Sequence, residues 1–277
     1  MFEPNSRSDS DDGFSHDIIL PSLVPSAFVE LYSRGASLAS ISSMTGFPRE
    51  RIRFLLHTVG VQMRHVHQIY HAPIMELNHD SALLLGLHAG DGYLSNTWGI
   101  AIGLRDKLMG GRVAELAKTV LGVEPGICYQ SDKCFLVRSG KRQVFEFFES
   151  YGFARGKKAT TVVVPPSVAS SKDNQVIAGV LKGAFSADGC FSFRGAWGQC
   201  RFVVSSVKFR DGFVELAEKL GFKFNSYTYP HRTGHNKVPL NTAYSGNRDD
   251  VIRWMETVGS ICDTHQERYH EWRSKCF

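Results

Sequence analysis

Two aspartates, Asp91 and Asp188, stand at matching places in two copies of one short sequence pattern. Residues 84–92 are LLGLHAGDG and residues 181–189 are LKGAFSADG. In both copies an apolar run with a glycine at its third position ends in a small residue, an aspartate and a glycine. Two carboxylates that lie close together repel each other unless a cation neutralises them. Hard oxygen ligands of this kind select Mg²⁺, Mn²⁺ or Ca²⁺, which can activate water for phosphodiester hydrolysis.

The glycines of the two copies explain how the aspartates could meet. Gly86 and Gly183 have no Cβ, so we expect them to let two helix backbones approach closely along a shared pseudo-twofold axis. The aspartate at the end of each helix then lies beside its counterpart. One Asp-Gly pair alone would be typical of an ordinary helix C-terminal turn. Two copies separated by 97 residues, which is 188 minus 91, favour a duplicated unit.

The segments that follow the two copies have the same order of elements. Stretches that alternate with the period of half-buried strands come first, GYLSNTWGIAIGLR in one copy and GCFSFRGAWGQCRFVVSSVKF in the other. A helix, a second strand pair and a last helix follow, and the last helices are RQVFEFFESYG and RDDVIRWMETVG. Each half is therefore predicted as αββαββα, and the fold class as α+β. We assign residues 78–165 to the first half and residues 166–277 to the second.

On these motifs, residues 80 to 277 resemble the LAGLIDADG homing endonucleases of the single-chain, two-motif type. The resemblance implies a saddle over DNA and a monomer with internal pseudo-twofold symmetry. It also implies site-specific hydrolysis of both strands of a long, asymmetric double-stranded DNA site. Mg²⁺ is the implied cofactor, and Mn²⁺ or Ca²⁺ could substitute for it. Ala89 and Ser186 stand where the family motif has a further aspartate, which is not the essential ligand.

The same resemblance assigns roles around the metal. Asp91 and Asp188 match the catalytic, metal-binding position, and the backbone carbonyls of Gly90 and Ala187 match the residue before it, which tends to face the metal. Basic groups near the metals position water and screen charge in this family. The candidates for that role in the first half are Lys157 and Lys158. The second half has only His265, Gln266 and Arg268 at the corresponding place and no lysine, so the two sites are expected to be unequal.

Basic, amide and aromatic residues along the predicted strands and at the strand-to-helix junctions are candidates for contacts with base edges and phosphates. In the first half, alternation directs Ala101 and Gly103 away from the core, where small residues permit close approach. The alternative is an ordinary solvated sheet face. The DNA-binding candidates of the two halves are Arg105, Lys107, Arg194, Arg201, Lys208, Arg210, Lys223, Asn225, Tyr227, Tyr229 and Arg232.

A separate helical pattern precedes the repeat. Residues 1–20 are polar and are predicted to be a disordered tail. Residues 21–64 resemble a helix-turn-helix DNA-binding domain of three helices, in which Ser37 caps the second helix and Pro48 occupies the first position of the third. The candidates for groove contacts on the third helix are Arg49, Arg51 and Arg53. The alternative is a small packing module with solvated arginines. Residues 65–77, which carry His65, His67 and His71, are expected to be a linker, with metal binding as the less favoured alternative.

Composition restricts the classes of function. The net charge of +5 suits a polyanionic partner without demanding one. The six cysteines form no CxxC pair and are expected to be reduced thiols instead of zinc ligands or disulfides. No apolar run approaches the roughly 20 residues that span a bilayer, and the polar start MFEPNSRSDSDDG differs from a signal peptide. We expect a nucleoid-associated cytoplasmic or an organellar protein, neither secreted nor inserted in a membrane.

Three functions are compatible with this pattern. The first is an active homing endonuclease, either free-standing or encoded in an intron. A catalytically silent transcriptional regulator built from the same two-fold unit is the second, and the front helices would suit it. An RNA maturase that assists intron splicing is the third, and only that alternative brings RNA as a partner. The retention of both aspartates favours the endonuclease.

Overall fold

The structure of the chain is a computed structural model. It describes residues 24–34, 36–63, 76–96, 99–104, 107–131, 134–229 and 239–276. Contacts divide the chain into two compact units, Met1–Ile69 and Tyr70–Phe277. The predicted tail, most of the predicted linker with its three histidines, and the DNA-binding candidates Arg105 and Arg232 lie outside the described residues.

The first unit contains three helices, α1 (Val24–Ser33), α2 (Leu38–Thr45) and α3 (Arg49–Thr58). The Ser37 side chain accepts a hydrogen bond from the Ser40 backbone N–H at 3.0 Å, which satisfies one of the unpaired donors at the start of α2. Gly46, with φ +73°, ends that helix in the left-handed conformation that glycine adopts without strain. The small core of this unit consists of Phe28, Tyr32, Ile41, Ile52 and Leu56.

The second unit begins with one αββαββα half, in which α4 is the helix that ends in Asp91. Its elements are α4 (His79–Asp91), β1 (Gly92–Leu94), β2 (Ile100–Leu104), α5 (Lys107–Leu121), β3 (Gly126–Ser131), β4 (Cys134–Ser139) and α6 (Arg142–Ser150). A one-turn helix, α7 (Pro166–Ala169), follows.

The second half has the same order, and its first helix, α8, ends in Asp188. Its elements are α8 (Asn174–Asp188), β5 (Gly189–Arg194), β6 (Trp197–Val204), α9 (Val207–Lys219), β7 (Asn225–Tyr229), β8 (Leu240–Ser245) and α10 (Arg248–Thr257). An additional helix, α11 (Asp263–Cys276), completes the described chain. The predicted α+β architecture of two αββαββα halves is confirmed.

Each half has one four-stranded antiparallel sheet. The strand orders β1-β2-β4-β3 and β5-β6-β8-β7 are equivalent. In β2, Ile100, Ile102 and Leu104 are buried while Ala101 and Gly103 are half-buried, so the strand alternates as its sequence predicts. The inner faces of both sheets pack against the helices in one continuous apolar core. None of the described helices is both long and apolar enough to cross a membrane.

Helix α11 was not predicted, and it contains three residues that were expected near the second site. His265, Gln266 and Arg268 were expected just past the last helix of the second half, but they lie in the first turns of α11. This helix packs on β5 and β6. The indole of Trp272 is fully buried, lies over Gly198 and donates a hydrogen bond to the Ala196 carbonyl at 3.1 Å.

Candidate active site

Helices α4 and α8 cross in direct backbone contact. A Cβ placed on Gly86 would lie 2.2 Å from the Val180 carbonyl oxygen, and one placed on Gly183 would lie 2.1 Å from the Leu83 carbonyl oxygen. Both distances are far below van der Waals contact, and the opposing atoms are backbone that cannot rotate away. Only glycine fits at either position, so these two residues set the separation of the helices.

The same close approach continues to the C-terminal ends of the helices, where the aspartates lie. Asp91 is the last residue of α4 and Asp188 the last of α8. A Cβ on Gly90 would lie 2.5 Å from the Ala187 Cβ and 2.9 Å from Asp188 Oδ2. The Asp188 carboxylate therefore rests against the last turn of α4, one residue before Asp91. Asp91 is exposed and Asp188 is half-buried, so both remain within reach of solvent.

Lys158 reaches this point from the segment after α6. Its ammonium donates hydrogen bonds to the carbonyls of Ala89 at 2.6 Å and Gly90 at 2.7 Å, which are among the carbonyls left unpaired at the end of α4. Burial lowers the pKa of Lys158 to about 8, although the negative charges of Asp188 and Asp91 act in the opposite direction. Its neighbour Lys157 is exposed. Of the two predicted lysines, only Lys158 lies at the helix ends.

The last turn of α4 contains a buried histidine. His88 is fully buried, and its ring centroid lies 4.1 Å from that of Phe148 and 4.8 Å from that of Phe153. Neither ring nitrogen has a hydrogen-bond partner in the described part of the chain. Burial, with a smaller contribution from the Lys158 charge, holds the pKa of His88 well below its ordinary 6.5. The ring is therefore neutral, and at the matching place in α8 the second half has Phe185.

In the second half, hydroxyl groups hold the loop after α10 against α8. Ser186, the counterpart of Ala89, accepts hydrogen bonds from the Ile261 backbone N–H at 2.9 Å and from the Ser260 hydroxyl at 3.1 Å. The Ser260 hydroxyl is in turn 2.9 Å from His265 Nδ1. Burial, helped by the charge of Arg268, lowers the pKa of His265 to about 4, although a hydrogen bond with the Gly189 backbone opposes the shift. A neutral histidine thus stands where the first half has a lysine.

The helix ends fit a hard divalent cation. The described residues contain no cluster of three or more His, Cys, Asp or Glu side chains, so the protein ligands for a cation here would be the two carboxylates and backbone carbonyls. Mg²⁺ is usually held in this way, by one or two carboxylates with the remaining positions taken by water and substrate phosphates. The absence of a Cβ at Gly90 keeps open the space beside the Asp188 carboxylate. The neighbouring Ala187 also contributes a backbone carbonyl at this end.

The three arginines predicted to contact DNA from the first unit differ in their surroundings. Arg49 and Arg53 are exposed on α3, and Arg53 pairs with Glu50 at 2.9 Å. The Arg51 guanidinium lies 5.7 Å from the centroid of the Phe47 ring. These contacts orient the side chains without burying their charge.

The outer face of the second sheet carries most of the remaining DNA-binding candidates. Arg201 stands between Cys190 and Tyr244 in the strand register, and Asn225 is the next residue in that row. Tyr227 and Tyr229 contact each other edge to face, with ring centroids 4.6 Å apart. The other candidates that remain exposed are Lys107, Arg194, Lys208 and Lys223.

Arg210 has a structural position that differs from the predicted one. Its side chain is only 11% exposed and pairs with Asp211 at 2.6 Å. It also donates hydrogen bonds to the Thr228 hydroxyl at 3.2 Å and the Tyr227 carbonyl at 3.4 Å, so it ties α9 to β7. The prediction that Arg210 faces DNA does not agree with these contacts.

Two residues of the first sheet were missed. Tyr93 and Arg138 flank Ala101 in the register of β1, β2 and β4, and both are exposed on the outer face just beyond Asp91. The row Tyr93, Ala101, Arg138 is the counterpart of the row Cys190, Arg201, Tyr244 in the other sheet. The alternation in CFLVRS, in which Val137 is buried, contains the signal that could have identified Arg138.

No protein-family model and no curated protein matches the sequence. The structure is similar to that of I-DmoI in complex with DNA and Mn, with 16% identity, 66% of this chain and 98% of that chain covered, and a TM-score of 0.48. Full-length DUF199/WhiA from Thermatoga maritima is 12% identical, with 72% of this chain and 61% of that chain covered and a TM-score of 0.48. The meganuclease I-SmaMI bound to uncleavable DNA is 13% identical, with 70% of this chain and 87% of that chain covered and a TM-score of 0.46.

Proposed function

We propose that this chain, which has the LAGLIDADG architecture, is a divalent-metal-dependent endonuclease that cuts both strands of a specific, asymmetric double-stranded DNA site. The observation that carries the proposal is the position of Asp91 and Asp188 at the adjoining ends of two helices in backbone contact. Two acids at such a place repel each other. Holding a cation against a phosphodiester accounts for both.

In this proposal the carboxylates of Asp91 and Asp188, together with backbone carbonyls at the helix ends, would hold the cation. A bound divalent ion lowers the pKa of water and stabilises the leaving oxygen of a phosphodiester. Asp91 and Asp188 orient the attacking water by accepting its hydrogen bonds. Lys158 supplies a positive charge beside the scissile phosphate while its ammonium is held by the end of α4.

The outer faces of the two sheets form the DNA-binding surface in this proposal. Arg138 and Arg201 extend from the rows nearest the aspartates, where their guanidinium groups would contact phosphates close to the cleavage point. Asn225 and Tyr227 lie farther along the second sheet, where amide and hydroxyl groups suit base edges in the major groove. The two rows differ at every matched position, which fits an asymmetric site better than a palindromic one.

Cleavage tests the proposal directly. The DNA that flanks the reading frame is joined into one plasmid as the candidate target and incubated with the protein and Mg²⁺. We expect a double-strand break, and we expect Asp91→Asn or Asp188→Asn to abolish it while DNA binding changes little. Glu115→Gln, at an exposed position on α5, is the matched control and should cut normally. Double-strand cutting by either aspartate variant would reject the assigned site.

The same assay separates the alternative functions. Tight binding of that DNA without cleavage by the wild-type protein would favour a silent regulator. Stimulation of intron splicing without DNA cleavage would favour a maturase. Both outcomes would contradict the endonuclease proposal while leaving the fold unchanged.

The first unit has a separate role in the proposal, as a DNA clamp. Its exposed Arg49 and Arg53 would contact phosphates and release counterions. We expect removal of residues 1–64 to weaken DNA binding and to flatten its dependence on salt concentration, as measured by fluorescence anisotropy between 50 and 200 mM salt, roughly the range in which such effects are large. Unchanged affinity and an unchanged salt slope would assign this unit another purpose.

A further inference from the structure

The pseudo-twofold symmetry of the aspartate pair is broken by one side chain. Lys158, only 8% exposed, donates to two carbonyls in the last turn of α4. These carbonyls form the negative end of the helix macrodipole. The ammonium therefore occupies one side of the aspartate pair with a fixed positive charge.

The matching carbonyls of α8 have a different environment. Ser186 and Ala187 correspond to Ala89 and Gly90, and no lysine or arginine within the described residues donates to their carbonyls. The nearby loop is held through the Ser186 and Ser260 hydroxyls instead, which leaves the backbone carbonyls out of that network. The α8 end therefore keeps a free oxygen ligand that the α4 end has already used.

We infer that Lys158 takes the place of a divalent cation on the α4 side, so that the protein has one strong metal site, formed on the α8 side by Asp188, Asp91 and the Ala187 carbonyl. This inference rests on the proposed function, because it concerns the metal of that same site. A divalent cation and the Lys158 ammonium would compete for the same carbonyl oxygen at the end of α4. A cation on the α4 side would have to displace the Lys158 ammonium from Gly90 and would be repelled by its charge.

Mn²⁺ binding tests the inference without any cleavage. The full chain is titrated with Mn²⁺ alone, and free Mn²⁺ is measured by electron paramagnetic resonance. We expect the wild-type protein to bind one ion strongly and Lys158→Met to bind two, the second at least tenfold more tightly than any second ion on the wild type. Lys118→Met, which removes an exposed lysine of α5, should leave the isotherm unchanged.

Two further variants make the outcome decisive. Lys158→Gln also removes the charge but keeps a hydrogen-bond donor, and it replaces Lys158→Met if that protein unfolds in a thermal melt. Asp188→Asn should lose the strong ion. If Lys158→Met and Lys158→Gln both titrate like Lys118→Met while Asp188→Asn loses the ion, the inference about Lys158 is overturned and the proposed function stands. If Asp188→Asn binds Mn²⁺ as the wild type does, the metal site of the proposed function fails as well.

Discussion

The backbone contact between α4 and α8 makes Gly183→Ala a sharp test of the structural reasoning. The added Cβ would stand 2.1 Å from the Leu83 carbonyl oxygen and 2.7 Å from the Leu87 backbone nitrogen. Neither atom belongs to a side chain that could turn aside. The helices would have to separate by about 1 Å, and overpacking of this kind costs about 1–3 kcal/mol.

Alanine also gains helix propensity of about 1 kcal/mol over glycine, which opposes the clash. We therefore expect Gly183→Ala to lose about 2 kcal/mol of unfolding free energy, since backbone atoms place the clash at the upper end of the overpacking range. Gly111→Ala is the matched control, because a Cβ there meets nothing within 4 Å on a helix of the same unit. Gly111→Ala therefore shows the gain in helix propensity alone, and we expect its unfolding free energy to equal or exceed that of the wild type.

Separation of the helices would also displace the aspartates. Gly183 lies five residues before Asp188, about 7.5 Å along the helix axis at 1.5 Å per residue. A displacement of about 1 Å between reacting groups can lower a rate about 100-fold. Urea unfolding and plasmid cleavage, run on the same samples, measure both effects. Wild-type stability together with wild-type cleavage in Gly183→Ala would refute the view that this glycine sets the helix separation.

Three further predictions concern buried polar groups. His88 is neutral in the fold but protonates in the unfolded chain below pH 6.5, so its contribution to stability is lost as the pH falls. The variant His88→Phe, which copies Phe185 of the second half, has no such loss. Below pH 6.5 its unfolding free energy, measured in urea, should therefore rise relative to that of the wild type by up to about 1.4 kcal/mol per pH unit. Lys158 has a pKa of about 8 in the fold and 10.5 in the unfolded chain. From pH 8 upward the wild type should therefore gain stability relative to Lys158→Met. A difference in unfolding free energy between the two proteins that stays constant up to pH 9.5 would contradict the assigned burial. Asn241 is buried and bonded to Thr228, so Asn241→Ala should lower the unfolding free energy by about 1–3 kcal/mol, measured at pH 7.

The parts of the fold that follow from local pattern could be predicted from the sequence. The duplicated motif predicted that the aspartates end two helices, and the two-residue alternation in β2 predicted that Ile100 and Ile102 face the core. Both signals are local, because helix ends and strand faces depend on residues a few positions apart. The element order of each half followed from the same signals.

The features that were not predicted depend on contacts between distant residues. Lys158 and Lys157 are equivalent in type and differ by one position, and only the path of the chain after α6 directs Lys158 to carbonyls 68 and 69 residues earlier. Arg210 looked like a surface cation, but its partner Thr228 lies on a strand 18 residues away. Helix α11 has little apolar periodicity, and it is held by the burial of Tyr269 and Trp272.

The placement of the aspartates has a consequence for how this protein could change over evolutionary time. Each acid terminates a helix at the negative end of its macrodipole, where folding favours a cation instead. Replacement of either acid by its amide removes a charge from that helix end, so under the proposed function a single substitution could abolish cleavage while the fold stays intact. The reverse change would have to place a negative charge at the negative end of a helix macrodipole again. If the proposed function holds, loss of cleavage is thus physically easier than its return.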